Sequence, residues 1–109
     1  MSKKILDKKI KNIVNEYLSL LEKDNFFIQK VFVFGSRVNG NYHINSDIDV
    51  AVISPNIKRS FHDQAFLLKK AHQLNNNKFY IEPHGFNPKD FIDESPIVWE
   101  IKQTGIRIK

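Results

Sequence analysis

The chain has 109 residues, of which 17 are Lys or Arg and 12 are Asp or Glu, so its formal charge is +5. A hydrophobic fraction of 41% argues against disorder, and the length predicts one compact domain over residues 1–109. No run of 18 apolar residues is present, so the sequence predicts no membrane span. The absence of cysteine excludes disulfides and thiolate zinc sites and favours a cytoplasmic protein.

The first half of the chain predicts one helix and two strands. Residues 2–23 lack Gly and Pro, and their apolar side chains recur every three or four residues, as in an amphipathic helix. Lysines crowd its start, where the helix dipole is positive, so we expect that end to fray. We interpret these lysines as a solvated face rather than a nucleic-acid patch, because no aromatic residues lie among them. Strands are predicted over Lys30–Phe34 and Asp47–Ile53.

The second half predicts five further elements, in the order helix Ser60–Leu74, strand Lys78–Glu82, turn Lys89–Ile92, helix Pro96–Gln103 and strand Ile106–Ile108. Pro83 is expected to end the third strand or to lie where its amide need not pair. Trp99 is interpreted as a core residue of the last helix, with a surface that faces a partner as the alternative. This order of elements predicts an α+β (α/β) protein, with a small mixed sheet flanked by helices.

Asp47 and Asp49 form the pair with the clearest chemical meaning. Side chains two residues apart in a strand point to the same face, about 6.6 Å apart along the chain. Two carboxylates placed in this way repel each other unless a cation lies between them, and Mg²⁺ prefers such oxygen ligands. The alternative is a strand whose wet face carries two exposed aspartates.

Gly35-Ser36-Arg37 follows the first strand directly. A glycine at this point lets a phosphate approach the backbone, and amides at a helix start, together with the hydroxyl of Ser36, would hold its oxygens. Arg37 supplies a cation unless it points to solvent. A Gly-Ser pair after a strand is commonly just a turn or a cap. Followed by the Asp-x-Asp strand, it indicates a combined phosphate and metal site.

These motifs resemble the signature of the DNA polymerase β-type nucleotidyltransferase superfamily, through Phe34-Gly35-Ser36-Arg37, Gly40 and Ser46-Asp47-Ile48-Asp49-Val50. Within it, the chain is most similar to the minimal nucleotidyltransferases, small bacterial and archaeal proteins of about this length. The motif blocks cover residues 33–53, and the order of elements agrees over most of the rest. The resemblance implies the nucleotidyltransferase fold.

The resemblance also implies a nucleoside triphosphate substrate and two Mg²⁺ ions held by three carboxylates. Asp47 and Asp49 match the paired catalytic and metal-binding residues, and Gly35-Ser36-Arg37 matches the nucleotide-binding turn. The third carboxylate of the family usually is an aspartate on the next strand. Glu82 is our candidate, because no other acidic residue lies in the third predicted strand. Its longer side chain leaves three roles open: metal ligand, activator of the acceptor, or neither.

His84 lies two residues beyond Glu82 and would share its face if the strand continued. His84 would then contact the metal ligands or the substrate. The alternative is an ordinary histidine in a loop.

The function that the resemblance implies is transfer of a nucleoside monophosphate, in the first place AMP from ATP, to a hydroxyl group. Minimal nucleotidyltransferases often pair with a helical HEPN-type protein in toxin–antitoxin modules, which implies an antitoxin that modifies a tyrosine of its partner. The alternatives are a non-catalytic module that neutralises a partner by contact, and a transferase acting on a small molecule. The acceptor surface would be shared with another chain or with a second copy in a homo-oligomer.

Overall fold

The computed structural model describes residues 6–35, 47–58, 61–75 and 79–109. Within these ranges the elements are α1 (Lys8–Lys23), β1 (Lys30–Phe34), β2 (Ile48–Ile53), α2 (Phe61–His72), β3 (Ile81–Phe86), a 3₁₀ turn (Pro88–Asp90), α3 (Pro96–Thr104) and β4 (Ile106–Arg107). The helix start expected after Gly35 lies outside the described residues. Among the described helices, none has both the length and the apolar character needed to cross a membrane.

The four strands form one mixed sheet in the order β3-β2-β1-β4. Strand β1 runs antiparallel to β2 and β4, whereas β2 and β3 are parallel. The parallel pair is connected through α2, which packs against β3. The structure therefore confirms the predicted α+β class with a small mixed sheet flanked by helices.

Both faces of the sheet are covered, and alternate residues of β2 point to different cores. Ile48, Val50 and Val52 belong to the larger core, to which α1 and α2 contribute. Ala51 and Ile53 belong to a smaller core with side chains of α3. By the same alternation, Asp49 lies on the face of the smaller core, near the end of the sheet where β2 begins.

Helix α1 begins at Lys8, later than the predicted start at residue 2. Asp7 explains this boundary, because its side chain accepts a hydrogen bond of 2.8 Å from the backbone amide of Lys9 and caps the helix. The buried positions of α1 include Val14, Tyr17 and Leu21, so the predicted apolar stripe does face the core.

Strand β3 spans Ile81–Phe86, whereas the sequence predicted Lys78–Glu82. Pro83 lies inside the strand rather than at its end. This is possible because β3 is an edge strand, where a residue without an amide hydrogen can face away from the neighbouring strand. The shift matters for function, since it places Glu82 and His84 two residues apart in one strand and thus on one face.

The prediction that Trp99 is a core residue is wrong, because its side chain is 54% exposed. Helix α3 buries Val98 and Ile101 instead, and Trp99 lies beside this narrow buried stripe. The strand predicted from Asp47 begins one residue later, at Ile48, so Asp47 directly precedes β2.

Candidate active site

The candidate site lies at one end of the sheet, where residues of three neighbouring strands are paired side by side. In the sheet, Asp49 of the middle strand is paired with Phe34 of β1 on one side and with Glu82 of β3 on the other. Gly35 follows Phe34, and Asp47 precedes β2, so both lie at this same end of the sheet. Register alone thus gathers residues that are up to 47 positions apart in the sequence (35 and 82).

Three side chains meet closely at this level. Asp49, Glu82 and His84 each offer one ligand atom, and these atoms all lie within 4.8 Å of one another. Nε2 of His84 is 3.2 Å from Oδ1 of Asp49, within hydrogen-bonding distance. Asp49 and His84 are partly buried, whereas Glu82 is exposed.

Asp47 joins this group through Glu82. Its carboxylate is exposed and within hydrogen-bonding reach of the Glu82 side chain. It is not one of the three residues whose ligand atoms lie within 4.8 Å of one another. Of the predicted trio, Glu82 is therefore close to both Asp47 and Asp49.

The environment of Glu82 raises its pKa above the ordinary value for glutamate. The largest cause is partial desolvation, followed by the negative charge of Asp49. The charge of Asp47 and its hydrogen bond raise the pKa further, while His84 opposes the shift. Both the desolvation and the neighbouring negative charges disfavour the ionised form. A bound cation would relieve the second of these effects.

Gly35 packs its backbone directly against the carboxylate of Asp49. Its φ angle is +82°, in the left-handed region that residues with a Cβ rarely adopt. A Cβ atom at this position would overlap Oδ2 of Asp49. Glycine is thus required here both by the backbone conformation and by the close approach of an acidic side chain.

The donor set fits a hard divalent cation. Three carboxylates gathered at one end of a sheet supply the oxygen ligands that Mg²⁺ prefers, and their mutual repulsion falls when a cation binds. Asp49, Glu82 and His84 lie close enough together to hold such an ion, and the carboxylate of Asp47 lies beside Glu82. Ser36 and Arg37, predicted to bind the nucleotide, lie outside the described residues. The spacing of two between Glu82 and His84 predicted a shared face only if the strand continued, and in the structure it does continue through His84.

The mixed sheet, with paired aspartates beside Gly35, agrees with the nucleotidyltransferase fold that the resemblance of the sequence motifs implies. The profile of the nucleotidyltransferase domain matches residues 7–103, which is most of the chain. The chain therefore belongs to the nucleotidyltransferase domain family. No curated protein sequence matches it.

Three solved structures share the fold. A "putative nucleotidyltransferase" from Sulfolobus solfataricus is 17% identical, with a TM-score of 0.61, over 91% of this chain and 78% of that one. A toxin-antitoxin structure with AMP-PNP is 24% identical, with a TM-score of 0.61, over 91% and 72% of the two chains. A mutant of the toxin-antitoxin MntA-HpeT is 20% identical, with a TM-score of 0.59, over 87% and 71%. At these identities the comparison establishes the common fold.

Proposed function

We propose that this nucleotidyltransferase moves AMP from ATP to a hydroxyl group of a partner protein, in a reaction that needs Mg²⁺. The observation that carries the proposal is the register of β2 and β3, which sets Glu82 opposite Asp49 and beside Asp47, next to the turn at Gly35. A site built in this way offers oxygen ligands for a cation and, beside them, a glycine whose partly exposed backbone a phosphate could approach.

Asp47, Asp49 and Glu82 would hold the two Mg²⁺ ions that the family resemblance implies. When bound, these ions would supply positive charge. This charge offsets the negative charge of the phosphates and of the attacking and leaving oxygens. Without a side chain, Gly35 would let the triphosphate approach the backbone, and Ser36 and Arg37 would bind the phosphate oxygens.

In the reaction, the acceptor oxygen forms a bond to the α-phosphorus of ATP, and the bond from that phosphorus to the oxygen of the departing pyrophosphate breaks. The proton of the acceptor hydroxyl passes to the carboxylate of Glu82, which is exposed and can release it to water.

The proposed acceptor is a tyrosine of a HEPN-type toxin, and this chain would be the antitoxin. The solved structures support a protein partner. Two of those that share the fold are described as toxin-antitoxin structures, one of them with AMP-PNP. We also propose that this protein acts in the cytoplasm.

The test uses the full chain, Mg²⁺ and the protein encoded by the neighbouring gene. ATP labelled at the α-phosphate should label the partner, while ATP labelled at the γ-phosphate should not, because AMP and not phosphate is transferred. Mass spectrometry then identifies the modified residue. Asp47→Asn and Asp49→Asn should abolish labelling. Asp93→Asn is the matched control, since Asp93 is exposed and pairs with Lys102 instead.

The rival functions give different results in the same assay. A binding module would neutralise its partner without any adduct and would keep doing so in both aspartate variants. A transferase specific for small molecules would leave the partner unlabelled but consume ATP when its acceptor is added. Labelling from the γ-phosphate would contradict AMP transfer.

A further inference from the structure

His84 belongs to the cluster but has no part in the proposed reaction. The parallel ladder pairs Glu82 with Asp49, and it pairs His84 with Ala51. His84 therefore lies two residues further along the strands, on the side away from Asp47 and Gly35. Its imidazole approaches Asp49 from the interior of the sheet.

On the side of the smaller core, the imidazole of His84 packs against an aromatic ring. Its ring lies 5.1 Å from the ring of Phe34, centroid to centroid, with an interplanar angle of 61°. Phe34 is itself buried in the smaller core. Nε2 of His84 reaches Oδ1 of Asp49 at 3.2 Å, and the two side chains are only 34% and 24% exposed. Because an ionised carboxylate only accepts hydrogen bonds, Nε2 is the donor.

The second oxygen of the same carboxylate is also confined, since Oδ2 lies against the backbone of Gly35. The last torsion of an aspartate is broad, so the side chain does not fix the direction of its oxygens by itself. In Asp49 the hydrogen bond on one side and the glycine on the other restrict this torsion. If the carboxylate turned, it would lose the bond to His84 or press against Gly35.

We infer that His84 is a positioning residue, whose Nε2–H donates to Oδ1 of Asp49 and holds this carboxylate in its metal-binding orientation. This inference rests on the proposed function, because it assumes that Asp49 binds the metal. Hydrogen-bond partners of metal ligands typically change metal affinity about 10- to 100-fold when they are removed. The competing role is that of a direct ligand, and an imidazole ligand would favour Mn²⁺ over the harder Mg²⁺.

The experiment measures metal binding to the full chain without nucleotide. Free Mn²⁺ is counted by electron paramagnetic resonance, and Mg²⁺ affinity is obtained by competition. His84→Ala should lower the affinities for Mn²⁺ and for Mg²⁺ by a similar factor of about 10 or more. His84→Gln should restore most of the affinity, because its amide nitrogen can donate from nearly the same place. His62→Ala, a change in an exposed histidine of α2, is the matched control and should have no effect.

Each other outcome overturns the inference. Unchanged affinity in His84→Ala means that the histidine does not position Asp49. A loss confined to Mn²⁺ makes His84 a ligand, and a folded His84→Gln that binds as poorly as His84→Ala excludes the hydrogen bond. Thermal unfolding checks that each variant folds. If His84→Ala does not fold, the metal affinity of His84→Gln alone is used to decide.

Asp49→Asn separates this inference from the proposed function. If the wild-type chain binds no Mn²⁺, or if Asp49→Asn binds it equally well, the proposed metal site is wrong and the inference falls with it. If Asp49→Asn loses Mn²⁺ while His84→Ala does not, only the inference fails.

Discussion

Replacement of Gly35 by alanine tests the geometry of the site most directly. An L-residue in the left-handed region costs about 1–2 kcal/mol, and the new methyl group would overlap Oδ2 of Asp49. At this chain length 1 kcal/mol corresponds to about 4 °C, so the backbone cost alone predicts a fall in Tm of about 4–8 °C. The displaced carboxylate should reduce AMP transfer about 100-fold, since an error of 1 Å at a reacting group has effects of that size.

The assay needs a control that destabilises the fold without touching the site. Gly85→Ala serves this purpose, because its Cβ would lie 2.7 Å from Cδ1 of Leu67 and 2.9 Å from Cδ1 of Ile57, in the core on the α2 side. It should cost about 1–3 kcal/mol through overpacking. Melting is recorded without metal, and Mn²⁺ affinity is measured well below the Tm of both variants.

We expect Gly85→Ala to keep the metal affinity of the wild-type chain and Gly35→Ala to lose it. The reasoning is refuted if Gly35→Ala lowers Tm as predicted and yet binds Mn²⁺ and transfers AMP normally. In that case Oδ2 of Asp49 would not need the space beside Gly35.

Three further changes test other parts of the structure. The pKa of Glu82 is raised, so ionisation of this residue destabilises the folded chain as the pH rises through that pKa. Glu82→Gln should therefore raise Tm at pH 8 in the absence of metal, by no more than about 4 °C because this group is exposed. The gain in Tm should vanish below about pH 4, where the glutamate is protonated in both states. A gain in Tm that persists in acid contradicts this cause. Tyr17→Phe removes a buried hydrogen bond of 2.9 Å to the carbonyl of Leu67 and should cost about 1 kcal/mol in urea unfolding; no loss would mean that this bond does not stabilise the packing of α1 on α2. Mg²⁺ at 100 times its Kd should stabilise the wild-type chain by about 2.7 kcal/mol, and Asp49→Asn should abolish this stabilisation; equal stabilisation of both chains would place the ion elsewhere.

Local sequence patterns predicted much of the fold. Strand β1 has the predicted bounds, and the apolar stripe of residues 8–23 forms a helix that faces the core. These elements depend on alternation, helical spacing and capping, which operate over a few residues and are therefore visible in the sequence. The boundaries that differ most from the predictions are the start of α1 and both ends of β3, and they depend on a cap and on the place of the strand in the sheet.

The candidate site divides in the same way. The Asp-x-Asp pair and the glycine before it were visible as motifs, and the sheet brings Asp47, Asp49 and Gly35 to one end. Local patterns leave two roles open for His84, because Pro83 could end the strand or lie where its amide need not pair. The edge position of β3 removes the need for an amide at Pro83, and this allows the strand to continue through His84.

Sequence by itself determined which oxygen-bearing side chains this protein carries, which of them would share a face of a strand, and that a glycine follows the first strand. Only the tertiary structure decided which strands stand side by side, that Glu82 is level with Asp49, and that His84 contacts Oδ1 of Asp49. The reason is physical. Side-chain direction within a strand follows from the covalent geometry of neighbouring residues, whereas register between strands depends on the packing of the whole sheet against its helices.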